Sequence, residues 1–418
     1  MKTRELVLIL DFGAQDKQLL ARRVRNLGVY CEVRPYSLPA ADVQALAPLG
    51  ILITGASKNQ NDKQCDPAIF SLGIPVLDLT KEPEEIDNLQ PFLFGTCKLL
   101  GDWKMADFAE QSILEFREQI GAKRVVLGLS GGVDSSVVAA LLAKSIGSQL
   151  TCIFVDHGCM RKDEGLEVEK AFTDNFNLNF VHVDAEARFL SLLAGVTDPE
   201  KKRKIIGEEF IRVFEEEARK LGSVEYLAQG TIYPDILESG FGDTAVIKSH
   251  HNVGGLPERM DFEGILEPLR LLFKDEVRNL GRELGLPDYL TERQPFPGPG
   301  LAVRCIGELT KERLDILRDA DAIFREELER AGLHQEISQY FAILTSMRSV
   351  GIKNEARTYD YTVALRAIIT VDFMHAEFAK IPYPVLELVS ERIVTEVHGV
   401  NRVVYDITKK PPATIEWE

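Results

Sequence analysis

The sequence predicts an α/β fold built on parallel sheets, closed by a C-terminal part of α+β character. Three observations predict it. Short apolar runs alternate with a helix-length amphipathic segment over the first 80 residues, and a strand at Val125–Leu129 runs straight into a glycine turn and an apolar helix. Beyond residue 300 that alternation gives way to long helices followed by strands. At 418 residues the chain exceeds what one core organises, so more than one domain is expected.

Taken in order, Leu6–Leu10 reads as a buried strand, Gln15–Asn26 as a helix, and Ile51–Thr54 and Val76–Leu77 as two short strands. Lys81–Pro91 (KEPEEIDNLQP) is polar and ends on a proline, a loop where an α/β domain would continue. The first domain is therefore predicted to be small or cut down. A helix over Ala106–Ile120 leads to the strand Val125–Leu129, the loop Ser130–Ser135, an apolar helix through Leu142 and a strand at Thr151–Val155. This is a βαβ unit and implies a second parallel sheet. Helices at Lys311–Ala331 and Val385–Val397, with strands near Leu365–Val371 and Val403–Ile407, predict the third, α+β domain.

Acidic residues outnumber basic ones 65 to 49, giving a net charge of -16, which disfavours nucleic acid and anionic membrane as partners. A small anionic substrate remains compatible, because local cations and helix N-termini bind anions inside an acidic protein. The six cysteines show no C-x-x-C pairing, so neither a zinc site nor a disulfide framework is signalled. The N-terminus lacks the pattern of a secretory signal, and no apolar run approaches the roughly 20 residues that span a bilayer. A cytoplasmic location is expected.

The strongest chemical signal is Ser130-Gly131-Gly132-Val133-Asp134-Ser135, set between strand and helix. Glycines without Cβ let backbone N–H groups approach an anion, and the helix that follows adds about half a positive charge at its N-terminus. Ser130 and Ser135 add hydroxyl donors. The loop lacks the lysine of G-x-x-x-x-G-K-[ST], so it suits a pyrophosphate that departs whole rather than a transferred γ-phosphate. Asp134 is placed to hold magnesium against phosphate oxygens; an N-cap role is its structural alternative, and the two can coexist.

The hexapeptide matches the signature of the N-type ATP pyrophosphatases, and from Val125 to Glu418 the chain resembles the synthetase half of the GMP synthetase family. The matching stretches are FVDHG at Phe154–Gly158, AGVTDPEKKRKIIGEEF at Ala194–Phe210, LAQGTIYPD at Leu227–Asp235, IKSHHNVGGLPE at Ile247–Glu258, RQPFPGPGLA at Arg293–Ala302, RSVG at Arg348–Gly351 and YDITKKPPATIEWE at Tyr405–Glu418. The resemblance implies an ATP pyrophosphatase domain over 106–300, with ATP on Ser130–Ser135, adenine beside Val155, and Lys248 reaching the phosphates from a lid. It implies XMP contacts at Arg203, Gln229, Arg293, Gln294, Gly298, Lys410, Thr414 and Glu418, and a dimerisation domain over 301–418 that makes a homodimer. Asp134 and Lys248 are the implied catalytic residues, with ATP and magnesium as cofactors. The adjacent His250 and His251 lack a matching ligand set and fit a lid contact better than a metal site.

The opening, 1–105, resembles the family's glutaminase domain with most of its second half missing. It matches at LVLILDFGAQ (Leu6–Gln15), ARRVRNLGVYCEVRPY (Ala21–Tyr36), CDPAIFSLGIPVL (Cys65–Leu77) and FLFGTCKLLGDWKM (Phe92–Met105). Where the family carries its nucleophile elbow, G-x-C-x-G, this chain reads Asp78-Leu79-Thr80-Lys81-Glu82, with Thr80 in the cysteine's place. No histidine precedes His157 to serve as a base. The expected activity is amination of XMP to GMP through an adenylyl intermediate, with ammonia free or from a separate donor protein. Two alternatives remain. One is activation of a purine nucleotide for sulfur, with Cys159 near the ATP site and a separate sulfur-donating protein; the other is a nucleotide-binding pseudo-enzyme. RSVGIKNEARTY at Arg348–Tyr359 replaces a Gly-Asp turn of the family, and the site it helps build is expected to differ.

Overall fold

The computed structural model describes residues 5–14, 17–55, 65–81, 86–239, 262–353, 355–370 and 373–418. The first strand, β1 (Leu6–Asp11), is buried along Leu6–Leu10, which is why it reads as an unbroken apolar run. It is followed by α1 (Lys17–Asn26), β2 (Tyr30–Pro35), α2 (Ala40–Leu46), β3 (Gly50–Thr54) and β4 (Val76–Asp78), and the strands join in the order β2-β1-β3-β4, all parallel. After β4 come a π-helical turn, Pro91–Thr96, and then α3 (Met105–Ile120), with no further strand between them among the described residues.

The second sheet starts with β5 (Val125–Gly128), α4 (Val133–Ile146) and β6 (Leu150–Asp156). In α4 every residue except Asp134 and Lys144 is buried, so the helix is apolar all round, as a core helix must be. The chain continues through α5 (Glu164–Asn175), β7 (Asn179–Asp184), α6 (Glu186–Leu193), α7 (Pro199–Lys220), β8 (Tyr226–Ala228), α8 (Tyr233–Ser239), β9 (Gly264–Leu266), α9 (Lys274–Glu283) and α10 (Asp288–Thr291). The strand order is β7-β6-β5-β8-β9, with β5, β6, β7 and β8 parallel. Last come α11 (Lys311–Arg330), β10 (Gln339–Lys353), β11 (Ala356–Ile369), β12 (Glu377–Phe378), α12 (Tyr383–Glu396) and β13 (Val400–Asp406). Here β10 and β12 flank β11 antiparallel, while β13 joins β11 in parallel. Among the described residues no helix is long and apolar enough to cross a membrane.

Several elements depart from the sequence reading. The strand expected near Leu365–Val371 is the end of the 14-residue β11, and its 15-residue partner β10 was not anticipated. The first half of β10 is an unbroken buried run and the second half is mostly exposed, so no single period marks it. β2 and the 22-residue α7 also went unread.

Compactness and family resemblance divide the chain along different lines. One compact unit comprises Met1–Gly121 with Gln229–Lys248 and Leu266–Leu286; the other comprises Ala122–Ala228, Ser249–Ile265 and Pro287–Glu418. In the first, Tyr233, Leu237 and Phe273 share one core with Val7, Ile9 and Leu52. Arg25 locks this arrangement. Its guanidinium is buried 4.4 Å from the Tyr30 ring and 4.9 Å from Trp103, and Nη1 donates to both Glu276 oxygens at 2.8 and 3.0 Å. The pair is desolvated yet hydrogen-bonded on both sides, which is the condition for tolerating buried charge.

Candidate active site

All residues of the Ser130–Ser135 loop lie in the second unit, between β5 and α4. Gly131 has φ +74°, the left-handed backbone that favours glycine, and a Cβ there would sit 3.3 Å from Arg293 Nη1 and 3.4 Å from Val168 Cγ2, close but not prohibitive. The loop is braced from within: Ser130 Oγ lies 3.0 Å from Ser135 Oγ, Gly132 N donates to Ser130 Oγ at 3.3 Å, and Ser135 Oγ donates to Gly132 O at 3.1 Å. From outside, Arg293 Nη1 donates to Gly131 O at 2.5 Å, and Nη2 pairs with Glu164. No side chain caps α4 at Gly132, so the N–H groups of its first turn, from Val133 onward, point out of the helix with no intrahelical acceptor. Such an end takes an anion.

Asp134 stands half-buried on that first turn. Among the described residues no group of three metal-ligating side chains occurs. One carboxylate beside a phosphate cradle is nevertheless the donor set magnesium uses, since it takes one or two carboxylates and completes its octahedron with phosphate oxygens and water. The residues fit the ion in that sense. Val155 is 2% exposed and packed in the core, so only its backbone is left to meet a base. Lys248, with His250 and His251, lies outside the described residues. Gln229 belongs to the first unit, where its N–H donates to Leu266 O at 2.9 Å.

The remaining predicted contacts gather around the C-terminal tail. Glu418 is held through Oε2 by Lys202, through Oε1 by the Gly307 N–H at 3.1 Å, and through its backbone oxygen by Arg203 Nη2 at 2.5 Å. Arg304 forks onto Glu416 at 2.9 and 2.7 Å, while Arg366 donates to the carbonyls of Thr414 and Ile415 at 2.8 Å each. Gln294 Oε1 accepts from Tyr340 N at 3.0 Å, and Gln339 bridges Pro295 O and Glu416 at 3.3 and 3.2 Å, tying the proline loop to the tail. Gly298 is exposed in that loop, and Lys410 Nζ donates to Phe373 O at 2.7 Å. Sequence reasoning missed Lys202, Arg304 and Arg366, all fully buried cations. Only Lys202 lies inside a matching stretch; Arg304 and Arg366 fall outside all of them.

Gly300 closes this loop against FVDHG. It has φ +62°, and a Cβ would fall 2.2 Å from Cys159 O, whose oxygen accepts from Leu301 N at 2.7 Å. Cys159 is fully buried and its thiol is pushed up to about 12 by burial, which removes the thiolate that a sulfur relay needs. His157 beside it accepts from Cys159 N at 3.1 Å, and burial pushes its imidazole down to about 4. Since the unfolded imidazole titrates near 6.5, this site gives full stability above that pH and loses it as pH falls toward 4, by up to about 3 kcal/mol. Urea midpoints between pH 7 and 4.5 are expected to fall more steeply for wild type than for His157→Asn; parallel curves would remove His157 from the account.

In the first unit, Thr80 follows β4, and its hydroxyl donates to Asp78 at 2.5 Å. The thiols of Cys31 and Cys97 are each pushed up to about 11 by burial, and that of Cys65 is raised for the same reason. All three cysteine thiols of this unit are thus held in the neutral form by burial.

Comparison with known proteins adds the following. The NAD synthase family matches residues 105–219, and the GMP synthase C terminal domain family matches residues 326–417. The chain is 51% identical to the GMP synthase (glutamine-hydrolyzing) of Acetivibrio thermocellus over 508 aligned positions, covering 99% of both chains. It is 49% identical to that of Ruminiclostridium cellulolyticum and 48% to that of Finegoldia magna, again over 99% of each. Among solved structures, NMN synthetase from Francisella tularensis aligns at 17% identity with a TM-score of 0.35, over 52% of this chain and 87% of that one.

Proposed function

We propose, from the premise that this chain belongs to the GMP synthase family, that it aminates XMP to GMP with ATP and ammonia, releasing AMP and pyrophosphate. The observation that carries this reading is the braced Ser130–Ser135 loop at the uncapped end of α4. The purine C2 oxygen of XMP attacks the α-phosphorus of ATP and pyrophosphate leaves; ammonia then adds at C2, a proton is lost and AMP departs. In this proposal the first-turn N–H groups of α4 and the two serines hold the outgoing phosphates, and Lys248 completes the charge balance. Asp134 would hold magnesium, which supplies charge neutralisation on the phosphates. Arg203, Gln229, Arg293, Gln294, Gly298, Lys410, Thr414 and Glu418 are proposed to bind XMP, in a cytoplasmic homodimer.

Ammonia comes from solution or from a separate donor protein in this proposal, because the N-terminal part lacks the means to hydrolyse glutamine. An alignment of 508 positions against 418 residues leaves at least 90 positions that this chain does not fill. Thr80 with its hydroxyl on Asp78, three thiols with raised pKa and the absence of histidine before His157 supply no nucleophile–base pair. With ATP, magnesium and XMP, ammonium is expected to drive AMP release, while glutamine drives none above background. Glutamate formation at the rate of AMP release would overturn the ammonia-only reading; ADP and orthophosphate as products would overturn the adenylyl mechanism.

A further inference from the structure

The peptide between Gly131 and Gly132 is the least constrained part of the phosphate loop. With glycine on both sides it can turn over at little steric cost, and Gly131 already stands at φ +74°. A trans peptide points its C=O and N–H in opposite directions, so only one of its two orientations suits an anion. In the orientation observed, Gly131 O faces Arg293, while the Gly132 N–H faces Ser130 Oγ at 3.3 Å, on the side of the loop's hydroxyls. Turned over, the peptide would present its carbonyl oxygen to the anion in place of the N–H.

One side chain opposes that turn. Arg293 Nη1 donates to Gly131 O at 2.5 Å, a charge-assisted bond from a guanidinium that is itself held. Its Nη2 pairs with Glu164, a buried carboxylate whose other oxygen accepts from Arg161 N at 2.8 Å. The backbone that carries Arg293 is tied down at the next two residues: Gln294 Oε1 accepts from Tyr340 N at 3.0 Å, and Pro295 O accepts from Gln339 Nε2 at 3.3 Å. A donor fixed at both ends is what orienting a mobile peptide requires.

We propose that Arg293, with Glu164 behind it, is a positioning residue for ATP: it locks the Gly131–Gly132 peptide with its N–H toward the phosphates and its carbonyl away from them. The inference rests on the reading that Ser130–Ser135 holds the phosphates of ATP, and it adds a role to the XMP contact proposed for the same residue. The lock acts by population. Without Arg293, some molecules carry the carbonyl turned into the cradle, and the apparent affinity for ATP falls with the fraction left competent. One charge-assisted hydrogen bond sets the scale of that fall at about 10- to 100-fold. Lysine at position 293 can donate to Gly131 O but has no second prong for Glu164, so it restores only part of the loss.

Binding without turnover separates this role from the amination reaction. Equilibrium dialysis of the full-length protein against ATP and magnesium, with no XMP present, is expected to show Arg293→Gln binding about 10- to 100-fold more weakly than wild type. Arg293→Lys should stand between the two, and because it keeps a cation beside Glu164 it carries the test if Arg293→Gln does not fold. In steady state with ammonium, KM for ATP should rise in the same order. A rise in KM for XMP alone, with ATP affinity unchanged, would leave Arg293 as an XMP contact and overturn the lock. ATP affinity that merely follows the thermal midpoint, with no recovery in Arg293→Lys, would overturn it as well. Should wild type itself bind no ATP, the assignment of the loop falls too, whereas tight binding by wild type and both variants removes only the lock.

Discussion

Replacing Asp134 with asparagine is expected to lower AMP release by about 100- to 1,000-fold while leaving the fold nearly untouched, because the role proposed for the carboxylate is electrostatic stabilisation in the transition state. Two effects compete in this substitution, and their sizes separate them. The stability term is the loss of one negative charge at the N-terminus of α4, worth about 0.3–1 kcal/mol, and α4 has no side-chain cap to lose at Gly132. The catalytic term is several kcal/mol, because a carboxylate beside departing phosphates repels them unless it holds a cation. Steady-state pyrophosphate release with ammonium and saturating magnesium measures it. A variant within about fivefold of wild type would show that Asp134 merely ends the loop.

The strand–glycine turn–helix junction at Ser130–Ser135 was legible because everything it needs is local: glycines, hydroxyls and an apolar helix within six residues of a strand. β1, β5 and β6 were legible for a related reason, since strands buried on both faces are continuous apolar runs. The tail was legible only through resemblance. Its anchors, Lys202 to Glu418 and Arg304 to Glu416, are separated by 216 and 112 residues, and no periodicity reports a pair so distant. The same holds for Tyr233 of α8 and for Phe273, which precedes α9: both pack into the first unit's core far from their place in the sequence. A buried arginine such as Arg161, ion-paired with Asp321 160 residues on, leaves no trace in composition at all.

Lys202→Met is expected to be the most destabilising change at the tail, by about 3–5 kcal/mol, although methionine nearly matches the lysine stem in volume. Lys202 is 0% exposed, and its ammonium serves three acceptors at once: Glu418 Oε2, Ala302 O at 3.1 Å and Cys305 O at 2.9 Å. Methionine fills the space but donates nothing, so a carboxylate with a 9% exposed side chain and two carbonyls lose their partner together. Arg203→Ala removes a bond to the same residue from a side chain that is 33% exposed, and should cost under about 1 kcal/mol. The second-site change Glu418→Gln should recover part of the Lys202→Met loss, because the orphaned charge disappears with it. Urea unfolding of the two single variants and the double variant measures that coupling. If the two losses simply add, the lysine does not hold the tail through this carboxylate. If coupling is present, the KM for XMP should rise in Lys202→Met with the tail released, while ATP binding at Ser130–Ser135 changes little.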